Sequence, residues 1–476
     1  MNQERSVIML GLDAADYELI ERWSAEGRLP AFSKLLDQGA YGILESTARA
    51  FSGSAWISIA TGCGPVKCGV YSRYQLTNGT YDVRRVRADD CKVDSFWTSF
   101  GGPVVVVDIP KAPLLSAING VQVVEWGAYD HYSAFASVPV DLANEISRDF
   151  GRHPFGERDF EVALHSRRDF DHIKNQVIDG VRIKQRLNQA LVSRYRPRLF
   201  FSVFGETHAA GHAFWRFQDC NHPSYMPGGT LQYAMLETYQ AVDRAIGSFL
   251  DQLQDDTMLV IVSSQGISLD NMIGEDLLAE ILVRMGISVP KTERVNYSYI
   301  PYAPALALDM KRTRAFSLPT DLQGYIRINL RGREPQGVVA EADYESVCCE
   351  LENELLALRD CTDGTEIVAR VVWVRDSYQG KDLGVLPDLS VIWNSDHVIT
   401  GVESPRFGVI RRKPDLMAGG GNHRSSGFVI MYGRDVAKGR FAGHVFDIAP
   451  TISRLLGEMN RPEWEGQPLS IRGLDC

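Results

Sequence analysis

The sequence predicts a soluble α/β protein, a three-layer α/β/α sandwich with a mostly parallel central sheet and a smaller inserted cap. Three observations predict this fold. The chain has 476 residues, 45% of them hydrophobic, which is ample for a large core. Short apolar runs rich in β-branched residues are typical of parallel strands buried on both faces. Helical patterns lie between these runs, as in a doubly wound sheet.

The predicted elements follow in chain order. The strands are residues 6–11, 103–108, 198–204, 257–263, 389–393 and 427–432. The main helices are residues 171–193, 231–253 and 275–283. Residues 267–385 have a different texture, with a loop-rich part, a helix near 343–358 and a strand near 367–374. We therefore expect residues 1–266 and 386–476 to form the core and residues 267–385 to form the cap.

A second stretch, residues 121–154, is rich in Tyr, His and Phe and is interpreted as another insertion. Within it, residues 129–132 read Tyr-Asp-His-Tyr. We expect this aromatic segment and the cap to shape substrate specificity.

Composition and charge narrow the function classes. The formal net charge of −10 argues against a basic nucleic-acid groove. No apolar run approaches the ~20 residues that cross a bilayer, and the first residues lack the pattern of a signal peptide. The eight cysteines are scattered without CxxC pairs, which is typical of reduced thiols in a cytoplasm. We expect a cytoplasmic protein whose partner is a small molecule, not nucleic acid or membrane; homo-oligomerisation is left open.

Reactive side chains follow three predicted strands directly. Asp13 follows the first strand, the Gly-Glu-Thr-His turn of residues 205–208 follows the third, and Ser264 and Gln265 follow the fourth. Ligands of open α/β sheets bind beyond the carboxyl ends of the strands. These side chains are therefore expected to face one pocket.

Three histidines are candidate metal ligands. His208 and His212 are four residues apart, so a helix presents both on one face, where two imidazoles can bind one ion. His423, in a glycine-rich loop, is a candidate third ligand. Glu206 could orient a ligand or act as a base. The alternative is that His208 and His212 are two surface histidines.

The other candidate site residues could also have ordinary structural roles. Asp13 could bind a metal or cap a helix. Ser52 precedes a predicted helix at residues 55–60, where N–H groups stabilise an alkoxide or a bound anion, but it or Ser54 could equally be an ordinary N-cap. Basic side chains that could meet a ligand anion, or simply be solvated, are Lys111, Arg216 and Arg424.

Six segments share their order with one known family. They are VIMLGLDAADYELIERWSAEGRLPAFSKLLDQGAYGILEST, AWISIATGCGPVKCGVY, LQGYIRINLRGREPQGVV, LPDLSVIW, GNHRSSGFVIMYG and FDIAPTISRLLG. Together they resemble the alkaline phosphatase superfamily, and most closely its type I phosphodiesterase/nucleotide pyrophosphatase branch. The resemblance implies the fold of that superfamily and chemistry on phosphate or sulfate esters.

The resemblance also implies roles for single residues. The first metal-binding Asp of the family falls on Asp13, the nucleophile on Ser52, the paired ligands on His208 and His212, and the late histidine ligand on His423. Members of the family bind two divalent ions, usually zinc, that stabilise the attacking and departing oxygens.

The chain departs from the family pattern at three places. His208 stands where the family has Asp, and Cys68 stands where it has His in "PgkHG". Ser264 and Gln265 replace the Asp and His of the "SDHG" turn, which supply ligands to the second ion. The departures imply a degenerate second site and one three-histidine site suited to zinc.

Three functions compete. The first is a metal-dependent hydrolase or transferase of phosphate or sulfate esters, with Ser52 as nucleophile and a reduced, one-ion site. The second is a repurposed biosynthetic enzyme, in which the three-histidine ion and Glu206 activate water or hold substrate. The third is a catalytically silent binding protein that keeps the fold.

Overall fold

The computed structural model describes residues 5–156, 160, 169–222, 225–227, 229–269, 277–320, 322–378, 384–394, 399–412 and 420–473. Strands β1 to β20 of these residues are Ser6–Leu12, Ala40–Glu45, Tyr74–Leu76, Val83–Arg85, Val104–Val107, Gly120–Val124, Ala136–Val138, Leu199–Phe204, Thr257–Ser263, Gly266–Leu269, Ala315–Leu318, Gly324–Ile328, Arg359–Asp360, Val368–Trp373, Leu389–Trp393, Gly401–Ser404, Gly408–Arg411, Gly421–Arg424, Ser426–Tyr432 and Gly439–His444. Helices α1 to α13 are Tyr17–Ala25, Pro30–Gln38, Ala55–Thr61, Pro65–Cys68, Asp141–Asp149, Phe170–Tyr195, Glu206–Gln218, Ala234–Leu250, Leu278–Arg284, Pro304–Ala307, Tyr344–Leu356, Val374–Ser377 and Ile448–Leu455.

The central sheet has nine strands in the order β20-β2-β19-β9-β1-β8-β5-β6-β7. The five strands from β9 to β6 run parallel, β2 pairs parallel with β20, and β19 runs antiparallel to both of its neighbours. The sheet is therefore mostly parallel, and the predicted α/β fold class is confirmed.

Helices cover both faces of this sheet. Alternate side chains of β1 point to opposite faces, so Leu10 and Leu12 join one hydrophobic cluster while Val7 and Met9 join the other. The first cluster includes α1, α2, α6, α7 and α8, and the second includes α3 and α13. Three layers result. Of the helices described, none is both long and apolar enough to cross a membrane.

A second group of strands lies outside the central sheet. Strands β11, β12, β15 and β14 form an antiparallel sheet, and β13, β16 and β17 form a smaller one; they share a separate hydrophobic cluster. The prediction that residues 389–393 belong to the central sheet was wrong, because an apolar run such as LSVIW fits any buried strand. The predicted boundaries of the cap, 267–385, stay a prediction. We propose that the cap continues to about residue 411.

The stretch 121–154 belongs to the core. Strands β6 and β7 complete one edge of the central sheet, and α5 packs beside them. The interpretation of this stretch as an insertion was therefore wrong. Of the predicted helix at 275–283, residues 275–276 lie outside the described residues, and α9 accounts for the rest.

Candidate active site

The carboxyl ends of neighbouring parallel strands meet at one edge of the central sheet. Asp13 follows β1, α7 begins after β8, and Ser264 and Gln265 follow β9, which lies beside β1. A pocket with an empty volume of about 570 Å³, partly open to solvent, lies over this edge. Its lining includes Asp13, Ser52, Trp56, Lys111, Tyr129, Asp130, Tyr132, His208, Gln265 and His423.

Three histidines converge at this pocket. His208 and His212 lie one turn apart on α7, with ring centroids 4.8 Å apart. The ring of His423 lies 4.7 Å from that of His208 and 5.1 Å from that of His212. One nitrogen from each ring falls in a group whose members are all within 4.8 Å of one another. One ion can therefore contact all three after small side-chain rotations.

His423 is brought to the pocket by a two-stranded ribbon. It lies on β18, which pairs antiparallel with β10 and places His423 opposite Ile267. The expected glycine-rich loop is thus a strand at this residue. The ribbon packs so closely on α7 that a Cβ at Gly420 would lie 1.8 Å from the carbonyl oxygen of His212. Glycine is required there by this close approach.

The two carboxylate oxygens of Asp13 form hydrogen bonds with two different side chains, His208 and Trp56. Oδ2 lies 2.8 Å from Nδ1 of His208, and the Trp56 indole donates to Oδ1 at 2.6 Å. Burial by itself raises the pKa of Asp13, but His208 and the indole outweigh burial and lower it, so the carboxylate is charged. A carboxylate on the outer nitrogen of a metal-binding histidine fixes its tautomer and orientation. Both oxygens of Asp13 are thus engaged by protein groups, and its role as a metal ligand stays a prediction.

Trp56 was not recognised from the sequence as a site residue. It lies on α3, 43 residues from Asp13 in the chain. A Cβ at Gly11 would lie 2.7 Å from the Trp56 ring, so this glycine leaves room for the indole. The only signal was the tryptophan in the AWISIATG segment, which carries no information about its partner.

Ser52 lies in the pocket and is 7% exposed. It opens the 3-10 turn Ser52–Ser54, and α3 begins after that turn, so Ser52 does not cap the α-helix as the sequence allowed. Its backbone N–H donates to Oε1 of Gln323 at 3.4 Å. Its hydroxyl has no hydrogen-bond partner in the described parts of the chain. The hydroxyl is therefore not committed to a structural bond there.

The three predicted cations are placed differently. Lys111 lines the pocket, where its ammonium donates to the carbonyl of Gly53 and lies 5.2 Å from the centre of the Tyr132 ring. Arg216 instead lies over the rings of Phe170 and Phe217, at 4.8 and 5.1 Å.

Arg424 is engaged in ion pairs with residues at the start of α1. Its guanidinium lies 2.6 Å from Glu18 and 3.8 Å from Asp16. Neither Arg424 nor Arg216 is among the residues that line the pocket. Of the three predicted cations, Lys111 is therefore the one at the pocket.

Glu206 does not line the pocket. Its side chain is fully buried, and Oε1 lies 2.9 Å from Nε2 of His153. Residues two apart on a helix are rotated by about 200°, so Glu206 and His208 leave α7 in opposite directions. A role of Glu206 as base or ligand support at the histidines stays a prediction that this placement does not favour. His153 was missed, because nothing in the sequence links it to Glu206.

The aromatic segment predicted to shape specificity forms one wall of the pocket. The Tyr129 ring stacks on His208 with centroids 3.7 Å apart and an angle of 21°. Asp130 and Tyr132 also line the pocket. Glu125 holds this segment by accepting a hydrogen bond from the Tyr132 backbone at 2.8 Å. This wall of the pocket is therefore in direct contact with α7, the helix that carries His208 and His212.

The two degenerate positions differ in what they contact. The hydroxyl of Ser264 is fully buried and has no partner among the residues that the structure describes. The amide nitrogen of Gln265 lies 3.0 Å from Nδ1 of His423. Burial, followed by the neighbouring His208 and His212, holds the pKa of His423 well below its usual value. His423 is therefore neutral at pH 7, as a metal ligand must be.

Comparison with known proteins identifies the family and the fold. The crystal structure of the wild-type alkaline phosphatase PafA is 12% identical, covers 98% of this chain and 99% of that chain, and superposes with a TM-score of 0.55. A quadruple mutant of the same enzyme is 13% identical, with 98% of each chain covered and a TM-score of 0.52. At such identities the likeness shows the fold alone. No curated protein sequence matches the chain at a significant level. The model of the type I phosphodiesterase/nucleotide pyrophosphatase family matches residues 7–423, and the chain therefore belongs to that family.

Proposed function

We propose that the protein is a metal-dependent hydrolase or transferase of phosphate esters, with one divalent ion in a reduced site and Ser52 as the nucleophile. The observation that carries the proposal is a group of three histidines, two of which line the same pocket as the buried, uncommitted hydroxyl of Ser52. Sulfate esters have the same tetrahedral shape and belong to the same substrate class.

The histidines fit an ion of the zinc type. Three neutral imidazoles with an open fourth position are a known zinc ligand set. His208 has its outer nitrogen on a charged carboxylate, which raises its basicity as a ligand. An ion bound there would polarise an ester oxygen and stabilise the charge that develops on it.

Lys111 is proposed to replace the charge of the second ion. Ser264 and Gln265 are poor zinc ligands, and Oδ1 of Asp13 is already bound to the indole of Trp56. The ammonium of Lys111 hydrogen-bonds the carbonyl of Gly53, the residue after Ser52. It is thus next to the nucleophile and can bind an equatorial oxygen of the ester.

The test is a hydrolysis panel with zinc-reconstituted protein. The substrates are bis-p-nitrophenyl phosphate, p-nitrophenyl phosphate and p-nitrophenyl sulfate. We expect turnover of at least one ester, which Ser52→Ala abolishes and Lys111→Met lowers about 100-fold or more, as for loss of one charge-stabilising donor. Arg216→Met is the matched control, since it removes a cation outside the pocket and should leave turnover unchanged.

The repurposed one-ion enzyme is the second candidate. Both candidates have one ion, as the engagement of both oxygens of Asp13 supports, so the variants must separate them. If the second candidate is correct, Ser52→Ala retains turnover while His212→Ala loses it. A wild-type protein that binds zinc but turns over none of the three esters would also favour this candidate. A protein that binds no ion and turns over none would favour the silent binding protein.

A further inference from the structure

Gln265 directly precedes β10 and contacts His423, which lies on the paired strand β18. The Gln265 amide nitrogen lies 3.0 Å from Nδ1 of the ring, and the two residues are 6% and 8% exposed. The hydroxyl of Ser263 donates to the backbone carbonyl of Gln265 at 2.7 Å and fixes the turn. The side-chain amide is therefore held, away from water, against one nitrogen of a candidate ligand.

The orientation of this amide decides which ring nitrogen of His423 can bind an ion. With the NH₂ group toward the ring, the amide donates to the Nδ1 lone pair. The ring proton then sits on Nε2, which cannot act as a ligand. A 180° rotation of the amide exchanges its oxygen and nitrogen at almost no change in shape. The oxygen then accepts from Nδ1–H, and Nε2 keeps its lone pair for the ion.

One further contact favours the rotated amide. Without rotation, Oε1 of Gln265 is buried and has no hydrogen-bond partner within the described ranges, and rotation gives it one. Since Gln265 also lines the pocket, the rotated NH₂ group can donate to a ligand there.

We propose that Gln265 is a positioning residue for the three-histidine site, whose Oε1 accepts a hydrogen bond from Nδ1–H of His423 and so directs Nε2 at the ion. This rests on the proposed function, because it requires an ion on the histidines. Asp13 supports His208 in the same way, so two of the three ligands have a side-chain acceptor behind them. Gln265 stands where the family has a metal-binding histidine. In this chain it supports a ligand instead of being one.

The test compares the zinc affinities of the full-length wild type, Gln265→Leu and Gln265→Glu by competition with a chromogenic chelator. Gln265→Leu removes the acceptor at similar size, and we expect it to lower zinc affinity about 10- to 100-fold. Gln265→Glu keeps an acceptor and should bind zinc at least as tightly as the wild type. The d–d absorption spectrum of the cobalt-substituted protein should change in Gln265→Leu and stay unchanged in Gln265→Glu. Ser264→Ala is the matched control and should leave the affinity unchanged.

Unchanged affinity in Gln265→Leu overturns the proposal, as does an equal loss in both Gln265 variants. In either case the three-histidine site itself still stands if the wild type binds zinc and His212→Ala does not. A wild type that binds no zinc overturns both the site and the role of Gln265.

A second measurement needs no variant. Proton–nitrogen correlation spectra of histidine-labelled wild type, with zinc bound, report the tautomer of His423. The Nδ1–H form supports the proposal, and the Nε2–H form overturns it whether or not the variants fold.

Discussion

Replacing Asp13 by Asn tests whether its carboxylate orients His208 or binds an ion itself. The two oxygens of Asp13 accept from two different donors, the His208 ring at 2.8 Å and the Trp56 indole at 2.6 Å. An asparagine has one acceptor oxygen, so Asp13→Asn turns an NH₂ group toward one of these donors and removes the negative charge. The perturbation therefore acts on the support of His208, on one buried hydrogen bond and on the attraction between Asp13 and Lys111.

The expected size follows from two independent estimates. A hydrogen bond to a charged group contributes about 1.5–3 kcal/mol. Loss of the outer partner of a metal-binding histidine lowers metal affinity about 10- to 100-fold, or about 1.4–2.7 kcal/mol. The estimates agree, so zinc affinity should fall by about that factor in Asp13→Asn, while a single ion per chain still binds at saturation.

Competition with a chromogenic chelator measures the affinity, and elemental analysis measures the stoichiometry. Trp56→Phe is the matched control, because it removes the indole donor but keeps the bond from Asp13 to His208. It should retain most of the wild-type zinc affinity. A wild type with two ions and an Asp13→Asn variant with one would show that Asp13 is a direct ligand. Equal affinity in the wild type and Asp13→Asn would refute the orienting role.

Four further predictions follow from single contacts. His212→Ala should abolish zinc binding, measured by elemental analysis after dialysis, and full occupancy would exclude the three-histidine site. Gly420→Ala should destabilise the ribbon and weaken zinc binding, since its Cβ would meet the His212 carbonyl at 1.8 Å; wild-type affinity and melting temperature would contradict that close approach. Gly247→Ala should raise the free energy of unfolding by about 0.5–1 kcal/mol in urea titrations, because its Cβ meets only Ala31 at 3.7 Å and alanine favours the helix; a loss of stability would contradict it. Burial, opposed by Arg424, raises the pKa of Asp16 to about 6 from 3.8, so the folded chain holds this proton more tightly than the unfolded chain. That stabilisation is complete below about pH 4. As the pH rises through 6, the free energy of unfolding falls by about 3 kcal/mol. Asp16→Asn should lack this fall in urea titrations from pH 4 to 8, and an unchanged pH profile in the variant would refute the prediction.

Local patterns predicted the central sheet and the approach of Asp13, residues 205–208 and Gln265, whereas His423 was placed beside His208 and His212 by the family resemblance. Apolar runs predict strands, and residues that directly follow neighbouring parallel strands must lie near one another. The pairing of β15 with β12 and β14 was beyond such patterns, since burial alone does not decide which sheet a strand joins. The orientation of Glu206 was missed for a different reason. Its proximity to His208 in sequence hid the opposite directions in which the two side chains leave the helix.

The partners of the candidate ligands could not be predicted at all. Trp56 with Asp13, Gln323 with Ser52, and Gln265 with His423 are contacts between segments far apart in the chain. Each depends on the final packing of the sheet, the cap or the ribbon. The spacing of motifs indicates which residues directly follow strands. These hydrogen bonds depend instead on how the loops fold over the edge of the sheet.

The place of β19 in the sheet has a consequence for biosynthesis. This strand, Ser426–Tyr432, lies between β2 and β9, although both of these are translated long before it. Until the ribosome has released residues beyond 432, β2 and β9 each present an unpaired edge, which is a surface prone to aggregation. His423 directly precedes this strand and arrives with it. The nascent chain therefore completes the group of three histidines and closes its central sheet in the same late step, so a chain that ends before β18 lacks both.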